Sequence, residues 1–157
     1  MRRMLKVILA GALIVLPAFS QGHVGDFSRV AAQAQKLTFD ADFVFWAVAI
    51  KPGKGPDFEK LMAQVKDALM KSANPERKAQ AAGWKVVKSP TAMPDGNTQY
   101  VHIISPVVKG ADYTILAILY EANTDPAQQT LLFTQYRDAL AGTLAQAPFV
   151  QTLDFSK

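Results

Sequence analysis

The residues with the most chemical potential are a histidine, a tyrosine and two tryptophans. His102 is one of two histidines, and the other, His23, sits in a polar lead-in. Imidazole suits a general base near neutral pH or an axial ligand to haem iron. Tyr100 lies two positions away, on the same side of an extended chain. No acidic partner stands near His102, so a hydrogen-bonded strand residue is the plainer reading beside both roles. A zinc site needs at least about three protein ligands, which one histidine does not supply, so no metal site is expected. Trp46 and Trp84 bring large flat rings that suit an aromatic ligand, or equally a core or an interface. Trp46, Trp84, Tyr100 and His102 are therefore the ligand-pocket candidates, and no catalytic residue is assigned.

Other groups carry less. Tyr113, Tyr120 and Tyr136 fall in helical patterns, where their hydroxyls read as polar tips at a core edge. Glu121 and Asp125 read as a helix end and a cap. Gly53 and Gly55 lie in KPGKGP, which lacks the spacing and terminal Lys-Ser/Thr of a phosphate loop and reads as a turn. The absence of cysteine removes disulfides, thiolate catalysis and Cys-based metal sites together.

The elements that position these side chains follow from periodicity. Residues 43–50 (FVFWAVAI) form an unbroken apolar run of strand length, which asks for cover on both faces. Pro56 opens a helix with Asp57 and Glu59 in its first turn, where the helix dipole favours acids. Phe58, Leu61, Met62, Val65 and Leu69 make its apolar stripe. Residues 75–82 suit a short helix closed by Gly83. Residues 84–89 and 98–105 read as strands joined through the Asp95-Gly96 turn signal, an antiparallel hairpin. If it closes symmetrically about Met93, Trp84 stands opposite His102. Asp112 is read as the cap of a helix through Tyr113 and Tyr120. Asp125-Pro126 opens a helix expected to reach about Ala145, with Leu132, Tyr136, Leu140 and Leu144 on one stripe, and residues 149–155 are read as the last strand.

The N-terminus has the pattern of a signal peptide over residues 1–20. Arg2, Arg3 and Lys6 precede an apolar stretch, and Ala18 and Ser20 offer small cleavage-site residues. The stretch is shorter than the roughly 20 apolar residues of a membrane span. A periplasmic or secreted protein is expected, with no membrane association after cleavage. The formal charge of +4 includes those three cations, so cleavage leaves 14 of the 17 basic residues against 13 acidic ones. A near-neutral chain without a dense Lys/Arg patch makes nucleic acid an unexpected partner. Residues 21–41 read as a tail or short helix, and residues 42–157 as one domain built on a single core.

The order strand, helix, strand, strand, helix, strand describes an α+β, ferredoxin-like βαββαβ fold with a four-stranded antiparallel sheet. Helices cover one sheet face; a second copy is the simplest cover for the other, giving a homodimer. With residues 48–62 (VAIKPGKGPDFEKLM) and this order, the chain resembles the dimeric α/β-barrel superfamily. Residues 106–122 (PVVKGADYTILAILYEA) are also similar to a segment of small exported proteins of unknown role. The resemblance implies homodimers with sheets packed face to face. Its members include cofactor-free monooxygenases of polycyclic or quinone-like compounds, haem-using enzymes, ligand-binding proteins and stress-response proteins. None of their catalytic motifs matches this chain residue by residue. The expectation is an exported homodimeric α/β barrel binding a small apolar or aromatic ligand without a cofactor. The alternatives are a cofactor-independent monooxygenase-like enzyme and haem binding through His102.

Overall fold

In the computed structural model, residues 36–155 are described. The signal-peptide pattern, the lead-in up to residue 35 and His23 lie outside the described residues. Strand β1 (Phe43–Ile50) leads through a tight loop to helix α1 (Gly55–Lys71) and helix α2 (Pro75–Gly83). Strands β2 (Trp84–Lys88) and β3 (Thr98–Ile104) follow, then α3 (Ile115–Ala122), α4 (Pro126–Ala139) and β4 (Leu140–Phe149). The strands form one open antiparallel sheet in the order β2-β3-β1-β4. The fold is α+β. No helix among the described residues is long and apolar enough to cross a membrane.

Position parity divides the sheet. Val44, Trp46, Val48 and Ile50 share a face with Tyr100, His102 and Ile104 through the register Val44↔Ile104, Trp46↔His102 and Val48↔Tyr100. These residues are buried, and Phe58, Leu61, Val65 and Leu69 of α1 close over the face with Ile115, Ile118, Leu119 and Leu132. The apolar stripe of α1 thus makes the core, as its spacing predicts. Phe43, Phe45, Val101 and Ile103 share the other face, on which Phe45 is 40% exposed. Leu37 N–H donates to Asp112 Oδ1 and Thr114 Oγ1, and Phe39 and Ala41 are buried, which pins the start of the described chain.

The C-terminal third departs from the sequence expectation. The last helix stops at Ala139 rather than near Ala145, and the closing strand is β4 rather than residues 149–155, of which only Phe149 lies in a strand. Leu140 and Leu144 therefore belong to a strand. The cause is tertiary: β4 pairs along the whole of β1, from Leu140↔Ile50 to Phe149↔Phe43. That pairing overrides the helix propensity of its Ala, Leu and Gln residues. Two register shifts, between Ala47 and Val48 and between Ala49 and Ile50, break the alternation that would mark a strand. Pro148 is tolerated because β4 is an edge strand. Helix α3 also starts later than expected, at Ile115 with Thr114 as its cap position. Asp112 instead accepts from Thr114 N–H in a local turn, so Tyr113 precedes the helix and is fully buried.

Candidate functional site

Trp84 is delivered by a close approach. Gly83 ends α2, and a Cβ there would come within 2.3 Å of the Pro106 carbonyl oxygen, so only glycine lets the chain turn into β2 at this point. The hairpin register is Trp84↔Ile104 and Val86↔His102. Trp84 is therefore not opposite His102, as closure about Met93 would require. The hairpin is offset by an even number of residues, so the face is preserved and the indole still reaches His102 diagonally. Trp84 Nε1–H donates to His102 Nδ1 at 3.1 Å. Trp46 stacks on the imidazole with ring centroids 4.4 Å apart, and Phe58 meets it edge-on at 6.1 Å.

His102 is thus the centre of an aromatic packing cluster. Because Nδ1 accepts, Nε2 holds the hydrogen of the neutral ring. Nε2 is buried without a hydrogen-bond partner. Burial pushes the imidazole down to about 4. A ring with 0% exposure, one nitrogen occupied and an indole on its face has no open approach for a substrate proton or a porphyrin. Haem does not fit this packing. Among the described residues, no three His, Cys, Asp or Glu side chains converge to hold a metal ion.

Two of the four pocket candidates do meet at an open site. A groove of about 530 Å³ runs between α1 and the edge strand β2. Phe58, Met62, Val65 and Leu69 of α1 line one wall, and Trp84 and Val86 line the other, with Tyr100 at one end. Trp46 and His102 do not line it; His102 holds Trp84 from beneath, with Trp46 stacked on its ring. Glu59, Lys66 and Lys88 supply its charges. The Tyr100 hydroxyl donates to Glu59 Oε1 at 2.6 Å, and Lys88 Nζ donates to the same oxygen at 3.1 Å. Gly55 permits this contact, since a Cβ there would lie 2.9 Å from the Tyr100 hydroxyl. The Tyr100 hydrogen bond, followed by that from Lys88, holds the Glu59 carboxyl below its usual range. Glu59 in turn raises Lys88, and burial followed by the Glu59 bond raises Tyr100.

No protein-family model, curated protein or solved structure matches this chain. The site therefore rests on its own geometry. A larger hollow of about 890 Å³ opens between α1, α3 and α4. Its lining mixes Lys, Gln and Asn side chains with Leu69, Ile118, Leu131 and Leu132 around the Arg77–Glu121 pair. Arg77 also donates to the Asp112 carbonyl at 2.7 Å and to Gln80 Oε1 at 3.0 Å. That cluster straps α2 to the end of α3 and to the segment that precedes it, and leaves the guanidinium occupied, so the smaller groove is the better-built site.

Sequence reasoning missed Glu59 and Lys88. Glu59 reads as a helix-dipole acid, and Lys88 as an ordinary strand residue. The available signal was parity: Lys88 shares a face with Trp84 and Val86, and Glu59, Met62 and Lys66 recur along one flank of the α1 stripe. Only the pairing of β2 with β3 and the packing of α1 bring the two rows together.

Proposed function

We propose that this protein binds a small apolar molecule in the groove between α1 and β2. The carrying observation is the groove itself: an apolar, half-open cleft of about 530 Å³ with an indole on one wall and a polar cluster at one end. Ligand sites have this character, mostly apolar with a few placed polar groups. The volume suits a small aromatic or aliphatic body. The N-terminal pattern of Arg2, Arg3 and Lys6 before an apolar stretch supports export, with the ligand met in the periplasm or outside the cell.

The assembly we propose is a homodimer of ferredoxin-like protomers, in the manner of a dimeric α/β barrel. The support is the sheet face that no described element covers. Phe43, Phe45 and Phe149 cluster there, with Phe43 and Phe149 stacked at 4.7 Å and Phe45 edge-on to both. Val101, Ile103 and Val87 continue the patch across the sheet. A two-fold copy presents the same apolar patch to itself, which is what an isologous interface requires.

The groove is tested with the neutral fluorescent probe N-phenyl-naphthylamine. Its emission should rise on mixing with the wild type. Val86→Trp, which fills the groove from an exposed strand position, should abolish the rise. An undiminished rise in that variant would place the probe elsewhere and remove the groove as the site.

A further inference from the structure

We infer that the groove selects an uncharged apolar molecule with a hydroxyl head, held between Glu59 and Lys88, its body running toward Trp84. This inference rests on the groove being the ligand site. Its basis is the difference between the two ends. Along the helix-facing side of β2, Trp84, Val86 and Lys88 follow one another, so Lys88 marks one end and Trp84 the other. Glu59 joins Lys88 at the first end, and Leu69 and Ala81 lie with Trp84 at the second. Glu59 and Leu69 are ten positions apart on one helix, about 15 Å along its axis. The remaining charge, Lys66, is about 10 Å from Glu59 on the same helix.

The head end offers one acceptor beside one donor. Glu59 Oε1 is filled by the Tyr100 hydroxyl and Lys88, whereas among the described residues Oε2 accepts no hydrogen bond. Lys88, which lies over the Tyr100 ring, has three ammonium hydrogens and, among the described residues, one carboxylate to receive them. A hydroxyl can donate to Oε2 and accept from Lys88 in the same position. A carboxylate head meets Lys88 but faces the Glu59 charge, and an ammonium head meets Glu59 but faces Lys88. Each charged head is therefore opposed by one member of the pair, which is how a site rejects the wrong partner.

Calorimetric titration of the full chain at neutral pH with octanol, octanoate and octylammonium tests this. The three share one apolar body and differ in the head. Octanol should bind about tenfold tighter than either charged analogue. Glu59→Gln should close that gap for octanoate and not for octylammonium, and Lys88→Met should do the reverse. Both side chains are half exposed, so the variants retain the core, which circular dichroism checks. Octanoate or octylammonium binding as tightly as octanol, or variants that leave the order unchanged, would overturn the head-group assignment while leaving the groove in place. Absence of binding by all three would instead remove the groove reading itself.

Discussion

On one face of β1, Val44, Trp46, Val48 and Ile50 are at most 6% exposed beneath the helices; on the other, Phe45 is 40% exposed and Phe43 only half-buried. These eight apolar residues meet two environments: the even positions are all buried under the helices, whereas on the odd face Phe43 and Phe45 stand partly or fully exposed and only the small Ala47 and Ala49 are buried. Hydrophobicity does not distinguish Phe45 from Trp46; the helices that α1, α3 and α4 contribute do. The covered face holds a fixed aromatic cluster around His102. The other face holds an aromatic patch with nothing above it among the described residues. The proposed roles divide in the same way: the covered side opens at its β2 edge into the groove, and the other side is the proposed contact with a second copy.

Substitutions on the two faces should have very different consequences, and the largest belongs to the covered one. Trp46→Ala removes an indole stacked on His102 and should cost about 3–5 kcal/mol in chemical denaturation, as other large-to-small core changes do. A loss near zero would mean that the cluster is not part of the core.

The next effect is a pH dependence. His102 is neutral in the folded protein, with its pKa at about 4 against an ordinary 6.5. The unfolded chain therefore takes up the proton first as pH falls. Stability contributed by the neutral ring is complete above about 6.5, declines below it, and is lost by about pH 4. The gap corresponds to about 3 kcal/mol. Denaturation midpoints across this window should fall for the wild type and flatten for His102→Phe. The Glu59 and Asp42 carboxyls, both lowered, act only below their ordinary values of 4.5 and 3.8, so they meet the histidine window only at its acid end and the loss between about pH 6.5 and 4.5 belongs to His102.

On the bare face, Phe45→Asp should leave protomer stability within about 1 kcal/mol, as at an exposed site. Its effect should instead be on mass: light scattering at micromolar concentration should give a dimer for the wild type and a monomer for the variant. A stable, soluble wild-type monomer would mean that the patch needs no partner. The smallest effect is local. Tyr100→Phe removes the leading cause of the lowered Glu59 carboxyl, so its titration by NMR should move up toward the ordinary range. An unmoved Glu59 would show that Lys88 alone sets it.

Much of the scaffold was legible in the residues. The bounds of β1 and the stripe of α1 follow from short-range patterns, because a continuous apolar run and a helical repeat are each complete within one segment. Asp125 also caps its helix as read, accepting from Ala127 N–H at 3.0 Å. The β4 segment was not legible, since Leu140 to Phe149 owes its strand to a partner some ninety positions earlier and two bulges erase its alternation. Asp112 and Tyr113 left their expected helix positions for a similar reason. The pin between Leu37 and Asp112 joins distant parts of the chain.

The candidate site shows the same limit. Sequence alone singled out Trp46, Trp84, Tyr100 and His102 by residue type, and the two pairs of aromatic and imidazole rings do come into contact. Their division into groove walls and buried support depended on the hairpin offset, which a turn of eight or nine residues does not specify. Glu59 and Lys88 came together only when α1 packed over β2. Composition and local periodicity determined an α+β chain with one strongly apolar strand and its covering helix. Tertiary structure decided which rings are buried, which line the groove and which face is left bare, because those outcomes depend on contacts between segments far apart in sequence.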